Sequence, residues 1–313
     1  MLHIEGLAKS YGELRALRGV DLHVAPGEVC GLIGPNGAGK TTLVSIVTGL
    51  RDADAGSVRV AGLDVSAGAR ANRKAVRRLI GCAPQELGLY PTISVRANME
   101  FFGRWNGVTG HTLQERIGEV ADTLDLADLL NRRAGDLSGG QKRRLHTGLA
   151  LLHSPRLLFL DEPTVGADVV ARMRLLEAVK KIAARGCAVV YATHYLAEIE
   201  SLGASVALLE GGVIVERGPL ADVVSRHGQA RAELEFTGDA PRLEGWQQKG
   251  SRLLLMTPDP ASATAAAMTR LDGDSARLRG VRIVPASLES AYLSITGHGV
   301  DSAETTEGDN AQA

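Results

Sequence analysis

The chain has 313 residues, of which 44% are apolar and 23% charged, and this ordinary globular composition argues against disordered, collagen-like and coiled-coil proteins. Thirty-five Lys and Arg residues nearly balance 36 Asp and Glu residues, so no global attraction to nucleic acid or acidic lipid is expected. No apolar run reaches the roughly 18 to 20 residues that a membrane-spanning helix needs, and the first residues lack the features of a signal peptide. We therefore expect a cytosolic protein that is not itself a channel.

Segments typical of strands and of helices alternate over about the first 230 residues. Residues 28–33 form a short apolar run that ends at Gly34, and residues 40–50 have the pattern of a helix. The apolar runs at 157–160 and 188–192 are typical of buried parallel strands. Residues 94–150 have almost no strand pattern, whereas apolar residues recur at helical spacing between 113 and 124. The order predicts an α/β core with a helical insertion.

The pattern changes after residue 228. Apolar and charged residues alternate at 232–236 and around 253–255, which predicts half-buried strands. A helix is expected at 263–271, a strand at 281–284 and a last helix from 288 to 295, so we predict a small α+β domain at 229–297. Residues 298–313 carry four acidic residues, no Lys or Arg and almost no large apolar group, which predicts a disordered tail.

The segment between the first apolar run and the first helix fits the phosphate-binding pattern G-x-x-x-x-G-K-[ST] as Gly34-Pro35-Asn36-Gly37-Ala38-Gly39-Lys40-Thr41-Thr42. Its glycines let consecutive N–H groups turn toward phosphates, and the N-terminus of the following helix favours anions. We expect Lys40 to contact the β- and γ-phosphates and Thr41 to offer its hydroxyl to Mg²⁺. The alternative is a glycine-rich turn that matches by chance, which the flanking strand and helix disfavour.

Two carboxylates follow the apolar run at 157–160. Asp161 is placed to hold Mg²⁺, which prefers oxygen ligands, and Glu162 is placed to polarise an attacking water. Buried strands often end in an acidic residue, so the pair alone is weak support for a catalytic site. The phosphate loop upstream makes the catalytic interpretation the stronger one.

The segment Leu137-Ser138-Gly139-Gly140-Gln141 places a hydroxyl and glycine amides at the start of a basic helix, an arrangement that binds anions. A Gly-Gly turn that begins a surface helix is the alternative. In a chain that also holds a phosphate loop, this pentapeptide resembles the signature loop of ATP-binding cassette (ABC) ATPases. The resemblance implies the P-loop NTPase fold of an ABC ATPase at 1–228, with a β-rich N-terminal part and a helical subdomain at about 86–150.

The resemblance also assigns residues that pattern alone does not. Tyr11 matches the aromatic that stacks on adenine, although a lone Tyr is more often a core residue. Gln85 matches the Q-loop glutamine that contacts Mg²⁺ and relays to the transport partner, although a lone Gln more often faces solvent. Asp168 matches the D-loop aspartate, and His194 matches the switch histidine that contacts the γ-phosphate.

The implied site comprises the catalytic residues Glu162 and His194, the Mg²⁺ ligands Thr41, Gln85 and Asp161, the D-loop residue Asp168, the signature residues Ser138, Gly139, Gly140 and Gln141, and the ATP-binding residues Tyr11, Gly34, Pro35, Asn36, Gly37, Ala38, Gly39, Lys40, Thr41, Thr42 and Gln85. In the family two such domains sandwich two ATP molecules, and each signature loop completes the partner's site. This chain has one phosphate loop and one signature, so the resemblance implies pairing with a second copy or a similar subunit. The D-loop departs from the family at Ala167 and Val169, where leucine and proline are common.

Four further segments resemble the daunorubicin-resistance type of drug and polymer export ATPases, namely residues 89–98, 137–145, 193–195 and 285–297. This resemblance implies an ATP-hydrolysing subunit that binds ATP in a sandwich dimer and drives a separate transmembrane permease. By the same resemblance, the subunit would lie at the cytoplasmic face of the membrane, and the complex would export a drug, lipid or polysaccharide. Residues 86–95 and the helical insertion would form the groove for the permease. The alternative is a non-transport, ATP-switched regulatory protein that acts on a soluble partner.

Basic residues cluster at 70–78 and at 142–144. Neither cluster has interleaved aromatics that would stack on bases. We therefore predict solvated helix faces at both places and no nucleic-acid partner.

Overall fold

The computed structural model describes residues 1–65 and 72–297. The tail at 298–313, for which the sequence predicts disorder, lies outside the described residues. The chain divides into two compact units, Met1–Pro219 and the part from Leu220 onward. The change of pattern after residue 228 instead predicts that residues 220–228 belong to the first domain. The helix at Leu220–His227 belongs to the second unit because it packs against the last helix, Leu288–Thr296.

The first unit contains ten described strands and seven described α-helices. Its strands are β1 (Leu2–Tyr11), β2 (Leu14–Val24), β3 (Val29–Ile33), β4 (Ala55–Val60), β5 (Leu63–Asp64), β6 (Ile80–Ala83), β7 (Leu157–Asp161), β8 (Ala188–Thr193), β9 (Ser205–Glu210) and β10 (Val213–Gly218). Its helices are α1 (Lys40–Val47), α2 (Arg73–Arg77), α3 (Val95–Trp105), α4 (Gly110–Thr123), α5 (Gly139–Leu151), α6 (Val169–Ala184) and α7 (Leu196–Leu202).

Two sheets share the core of this unit. Strands β2-β1-β4-β5 form an antiparallel sheet, which is the predicted β-rich N-terminal part. The other sheet has the order β10-β9-β3-β8-β7-β6, parallel except for β10 at its edge. Val58 and Val60 of the first sheet pack in one cluster with Leu32, Phe159 and Val190 of the second. Strands β7 and β8 are buried on both faces, which explains their continuous apolar runs.

The helical insertion lies between β6 and β7. Residues 84–156 are all described and contain α3, α4 and α5 but no named strand. Ser94 caps the start of helix α3, and its Oγ accepts a hydrogen bond from the Ala97 amide at 3.1 Å. Helix α4 buries Leu113, Ile117 and Val120 on one face, as their helical spacing predicts.

The second unit is a small α+β domain, as the sequence predicts. Its elements are α8 (Leu220–His227), β11 (Arg231–Phe236), β12 (Gln247–Lys249), β13 (Arg252–Met256), α9 (Pro260–Arg270), β14 (Leu278–Val284) and α10 (Leu288–Thr296). The strands form an antiparallel sheet in the order β12-β13-β11-β14. Leu234, Phe236 and Leu253 pack against Ala267 of α9 and against Leu271, the residue that follows this helix. Within residues 1–65 and 72–297, none of the helices combines the length and apolarity that crossing a bilayer requires.

Candidate nucleotide site

The predicted site residues meet where the parallel strands end. Ile33, the last residue of β3, is paired with Thr193, the last residue of β8, and Asp161 at the end of β7 is paired with Ala192. The segments that follow these strands therefore leave the sheet at the same edge. In open α/β sheets, ligands bind outside the carboxyl ends of the strands. The topology thus brings the phosphate loop, the two carboxylates and His194 to one edge.

Two glycines of the phosphate loop allow close backbone packing. A Cβ at Gly34 would lie 2.2 Å from the carbonyl oxygen of Leu209, and a Cβ at Gly39 would lie 2.6 Å from that of Ala16. Gly39 also has a φ of +110°, a conformation that residues with a Cβ rarely adopt. The loop can therefore pass between β9 and β2 only with glycine at these two positions. Between them it exposes Pro35, Asn36 and Gly37 and buries Ala38.

Lys40 is the first residue of α1 and is buried. Its Nζ donates to the carbonyl oxygens of Gly34 at 2.5 Å and Pro35 at 3.1 Å, which folds the loop around the ammonium group. Burial lowers the pKa of Lys40, and the nearby charges of Glu162 and Asp161 oppose that effect. The amides in the first turn of a helix have no acceptor within the helix, so the start of α1 offers donors to an anion. Thr41, in this turn, is exposed and Thr42 is half-buried.

Asp161 and Glu162 differ in their surroundings. Burial raises the pKa of Asp161, as does the neighbouring Glu162, whereas the charges of Lys40 and Arg143 lower it. Glu162 is buried and has a φ of +47°, a left-handed conformation that costs a residue with a Cβ roughly 1–2 kcal/mol. Its amide donates to the carbonyl oxygen of Ala192 at 2.9 Å, so the chain turns sharply at the end of β7. This turn directs the carboxylate of Glu162 toward β8.

Glu162 is held by the residues at the end of β8. Its Oε1 accepts hydrogen bonds from the backbone amide of His194 at 3.1 Å and from Nδ1 of His194 at 2.8 Å. Its Oε2 accepts from the hydroxyl of Thr193 at 3.3 Å. An ionised carboxylate can only accept, so Nδ1 carries the proton in this contact. The structure therefore brings the two predicted catalytic residues into direct contact.

The signature segment caps the N-terminus of α5. The Oγ of Ser138 accepts from the amide of Gln141 at 3.3 Å, while Oε1 of Gln141 accepts from the amide of Ser138 at 3.0 Å. A Cβ at Gly140 would lie 2.5 Å from the Cβ of Ala171, and a Cβ at Gly139 would lie 3.0 Å from the carbonyl oxygen of Gly166. Within one chain, these glycines permit α5 to pack closely on α6 and the loop before it.

Asp168 stands at the start of that neighbouring helix. Its Oδ1 accepts from the amide of Ala171 at 2.8 Å and caps α6. The D-loop aspartate and the signature glycines therefore meet on adjoining helix starts.

The prediction of a solvated basic face after the signature is wrong for two of its residues. Arg144 is buried, and its guanidinium donates at 2.9 Å to the carbonyl oxygens of Leu124 and Asp125. Arg143 is half-buried and donates to the carbonyl oxygens of Gln85 and Val165. Both guanidinium groups donate to carbonyl oxygens of segments that are distant in the sequence. A run of basic residues gives no indication of such acceptors.

Tyr11 and Gln85 are both reached by solvent. The ring of Tyr11 is not in the core, with 38% of the residue exposed, and the guanidinium of Arg51 lies 5.3 Å from its centroid. Gln85 is exposed two residues after the end of β6, and its carbonyl oxygen accepts from Arg143. Both placements leave the side chains available to a ligand.

Thr193 and Arg143 lie in the site, although the sequence patterns do not predict either residue to be part of it. Thr193 immediately precedes His194. Its position at the end of a buried apolar strand, at the edge where the site lies, could have indicated its role. Arg143 lies near Asp161 and Glu162 and influences the pKa of Asp161. Its contact with Gln85 joins residues 58 positions apart, so no local pattern marks it.

Among the described residues, no cluster of three or more His, Cys, Asp or Glu side chains could hold a metal ion. Mg²⁺, however, is usually bound by one or two carboxylates together with phosphate oxygens and water. Asp161, with a pKa raised by burial beside Glu162, and the exposed hydroxyl of Thr41 match that donor set. The residues present therefore fit a Mg²⁺ ion that a nucleotide brings with it.

Comparisons with known proteins agree with this geometry. Residues 17–165 match the family described as ABC transporter. The chain is 34% identical to the daunorubicin resistance ATP-binding protein DrrA2 of Streptomyces coeruleorubidus, over 97% of each chain. It is 38% identical to the linearmycin resistance ATP-binding protein LnrL of Bacillus subtilis, over 73% of this chain and 72% of the relative.

Solved structures match the first part of the chain. The dimeric structure of the bacterial ABC transporter cassette MJ0796 is 26% identical, with a TM-score of 0.64, and the match covers 70% of this chain and 99% of that one. The same cassette in a post-hydrolysis state with bound ADP and Pi matches with the same score and coverage. The chain belongs to the ABC transporter family as an ATP-binding subunit that hydrolyses ATP.

Proposed function

We propose that this chain is the ATPase subunit of an ABC export complex and drives a separate transmembrane permease from the cytoplasmic face of the membrane. The cargo class is a drug, a lipid or a polysaccharide. The observation that carries the proposal is the meeting of Lys40, Asp161, Glu162 and His194 at one edge of the parallel sheet. The export assignment is supported by relatives that match both units. DrrA2 and the Nod factor export ATP-binding protein I of Paraburkholderia xenovorans, which is 34% identical, each match 95% or more of this chain.

The loop from Gly34 to Thr42 would bind the phosphates of ATP. Its exposed backbone and the start of α1 supply N–H donors, and Lys40 supplies the positive charge. In the ATP-bound state the ammonium of Lys40 would exchange its carbonyl contacts for phosphate oxygens. Tyr11 would stack on the adenine with its exposed ring. Thr41, Gln85 and Asp161 would hold Mg²⁺, which neutralises phosphate charge when it is bound.

Glu162 would act as the general base that polarises the attacking water. Its carboxylate is held by Thr193 and His194, so it cannot rotate freely. His194 has a second ring nitrogen, Nε2, which would point toward the γ-phosphate. The contact between the two residues would thus fix the distance between the Glu162 carboxylate, which accepts the water proton, and Nε2 of His194 at the phosphate.

A second copy of this chain, or a similar subunit, would complete the site. Ser138, Gly139, Gly140 and Gln141 would contact the ATP bound by the partner. Beside them, the N-terminal part of α6 exposes three apolar side chains, with Val169 at 70%, Val170 at 59% and Met173 at 63% exposure, and adjoining exposed apolar residues are typical of interfaces. Asp168 caps this same helix. The cluster supports pairing through the D-loop side of the unit.

An aromatic cluster supports docking of the permease. Tyr90, Phe101, Phe102 and Trp105 contact one another, with the rings of Tyr90 and Phe101 5.0 Å apart. Trp105 is 79% exposed, and Tyr90 and Phe101 are exposed by more than 40%. Exposed aromatics that adjoin one another are typical of protein interfaces. The cluster lies on α3 and the segment before it, the part of the chain for which the family resemblance implies the permease groove.

The alternative of a regulatory protein that acts on a soluble partner is not favoured. Its sequence mark would be a missing Glu162 or His194, and both residues are present and in contact. The full-length relatives are named for resistance and export.

Co-expression with the membrane protein encoded beside this chain tests the proposal. We expect the two proteins to purify together from detergent extracts, with ATP hydrolysis faster in the complex than in the isolated subunit. The double variant Phe101→Ala/Trp105→Ala is expected to lose the complex and keep the basal ATPase rate, because the cluster lies on α3 and not on the residues assigned to nucleotide. Val215→Ala, which removes an apolar group with 42% exposure on β10, serves as the control and should keep the complex. If the subunit does not purify with the membrane protein and its ATPase rate is the same with and without it, the regulatory alternative is supported instead.

A further inference from the structure

The side chain of Glu198 is a buried carboxylate that no predicted role explains. It lies on α7, four residues after His194, and the residue is 2% exposed. Its Oε1 accepts from the hydroxyl of Thr164 at 2.5 Å, and its Oε2 accepts from the hydroxyl of Tyr191 at 2.8 Å. A charge in such a place is costly unless it is paired and hydrogen-bonded. These donors come from the turn after β7 and from β8, so Glu198 joins the two segments that carry Glu162 and His194.

Arg172 connects this carboxylate to α6. Its Nε lies 3.4 Å from Oε1 of Glu198, and its guanidinium lies over the ring of Tyr195 at 5.3 Å from the centroid. The ring of Tyr195 in turn lies 4.0 Å from that of His194. Arg172 is one helical turn after Asp168, which caps the same helix. A displacement of the D-loop end of α6 would therefore reach both Glu198 and the neighbour of His194.

Thr193 links the two carboxylates. Its hydroxyl lies 3.3 Å from Oε2 of Glu162 and 3.4 Å from Oε2 of Glu198, and it has one proton to donate. The Thr193 proton is therefore shared between the two carboxylates, and Oε2 of Glu198 also accepts from the hydroxyl of Tyr191. Loss of the Glu198 carboxylate would release the hydroxyls of Thr164 and Tyr191 from their common acceptor and let Thr193 shift relative to Glu162. It would thereby loosen Glu162.

We infer that Glu198 and Arg172 are positioning residues. They hold the Glu162–His194 pair in a fixed position relative to α6, the helix that the D-loop residue Asp168 caps. This inference rests on the proposed catalytic roles of Glu162 and His194. Neither Glu198 nor Arg172 acts on the nucleotide. Their effect passes through Thr193, Tyr195 and the turn at Thr164.

Three variants test the inference, each in the full chain. Glu198→Gln keeps the shape of the side chain and removes its charge, Arg172→Met removes the guanidinium, and Arg172→Lys keeps a charge. We expect Glu198→Gln and Arg172→Met each to lower kcat by about tenfold while the Kd for ATP stays near that of the wild type, because misplaced catalytic groups slow chemistry more than binding. The double variant should be no slower than the slower single variant, since both substitutions break one connection. Arg172→Lys should recover part of the rate.

The control variants are Glu177→Gln and Arg174→Met, which lie on the same helix and remove one charge each from exposed positions. Histidine labelled with ¹⁵N supplies a readout that does not need turnover. The Nδ1 signal of His194, assigned with His194→Gln, reports its hydrogen bond to Glu162. We expect this signal to shift in Glu198→Gln and Arg172→Met and to stay in place in both controls.

An unchanged His194 signal in Glu198→Gln and Arg172→Met overturns the inference, even if kcat falls. So does a parallel fall in kcat, ATP affinity and Tm, which a merely structural role would produce. If Glu198→Gln does not fold, Arg172→Met decides the question, because Arg172 is only partly buried. If the wild type has no ATPase activity that depends on Glu162 but the His194 signal still shifts, the positioning contact stands and the proposed catalytic roles fail.

Discussion

His194 contacts one oxygen of Glu162 twice, through its backbone amide at 3.1 Å and through Nδ1 at 2.8 Å. Strand pairing sets this relationship, because β7 and β8 are neighbours and the residues that follow them turn toward each other. The left-handed φ of Glu162 directs its side chain to that contact. The local strain is thus located at the residue that we assign as general base.

Glu162→Gln is expected to keep ATP binding and to lose roughly two to four orders of magnitude in turnover, as removal of a general base typically does. The amide oxygen of Gln can still accept from the His194 amide, so the loop keeps its shape, but it cannot take a proton from water. Steady-state ATPase assays and calorimetric titration with ATP measure the two quantities. Glu177→Gln, at an exposed position on α6, is the matched control. Equal turnover in Glu162→Gln would contradict the role.

Lys40→Ala is expected to weaken binding itself. The ammonium of Lys40 lies inside the phosphate loop, where it donates to the carbonyl oxygens of Gly34 and Pro35. A hydrogen bond to a charged group contributes about 1.5–3 kcal/mol, or roughly a ten- to a hundredfold change in Kd. Titration with ATP measures the Kd directly, with Lys180→Ala on α6 as the control for loss of one positive charge. Unchanged affinity in Lys40→Ala would exclude the assignment of residues 34–42 as the phosphate loop.

Sequence patterns predicted the parts of this structure that local chemistry determines. The apolar runs at 157–160 and 188–192 became β7 and β8, because continuous burial on both faces leaves a direct mark in the sequence. The segments assigned to the nucleotide site follow these strands and leave the sheet at one edge. The positions of Arg143 and Arg144 were predicted wrongly, since their acceptors lie in loops that only tertiary packing brings near.

Glu198 illustrates the same limit. On α7 it is one of two glutamates in a short stretch, with Glu200 exposed and Glu198 buried. The difference depends on Thr164 and Arg172, which reach Glu198 through the packing of α6 and the turn after β7. A periodicity argument about α7 alone has no means of distinguishing the two residues.

Gly140→Ala and Gly118→Ala are expected to have opposite effects on stability. Both glycines lie within helices, α5 and α4, but a Cβ at Gly140 meets the Cβ of Ala171 at 2.5 Å while a Cβ at Gly118 meets nothing within 4 Å. Overpacking should lower the free energy of unfolding of Gly140→Ala by about 1–3 kcal/mol. The higher helix propensity of Ala should raise that of Gly118→Ala by about 0.5–1 kcal/mol. Urea denaturation followed by circular dichroism measures both, and a stabilised Gly140→Ala would contradict the close packing of α5 on α6.

His146 should make the stability of the protein depend on pH. The residue is buried, and its Nε2 accepts from the amide of Gly88 at 3.3 Å, which requires that nitrogen to be unprotonated. Burial, with a smaller effect from the charge of Arg143, lowers the pKa of His146 to about 4. In the unfolded chain its pKa is about 6.5. Between these values the unfolded chain binds more protons than the folded one.

The contribution of His146 is therefore fully present above about pH 6.5 and is lost as the pH falls toward 4, to a total of roughly 3 kcal/mol. Urea denaturation at pH 7.5 and pH 5 measures the loss in the wild type. His146→Gln does not titrate and can still accept from Gly88, so it should lose less stability over the same interval. His111→Gln removes a histidine whose side chain is 88% exposed and should behave as the wild type does. A loss in His146→Gln as large as that in the wild type would show that the pH dependence arises from other groups.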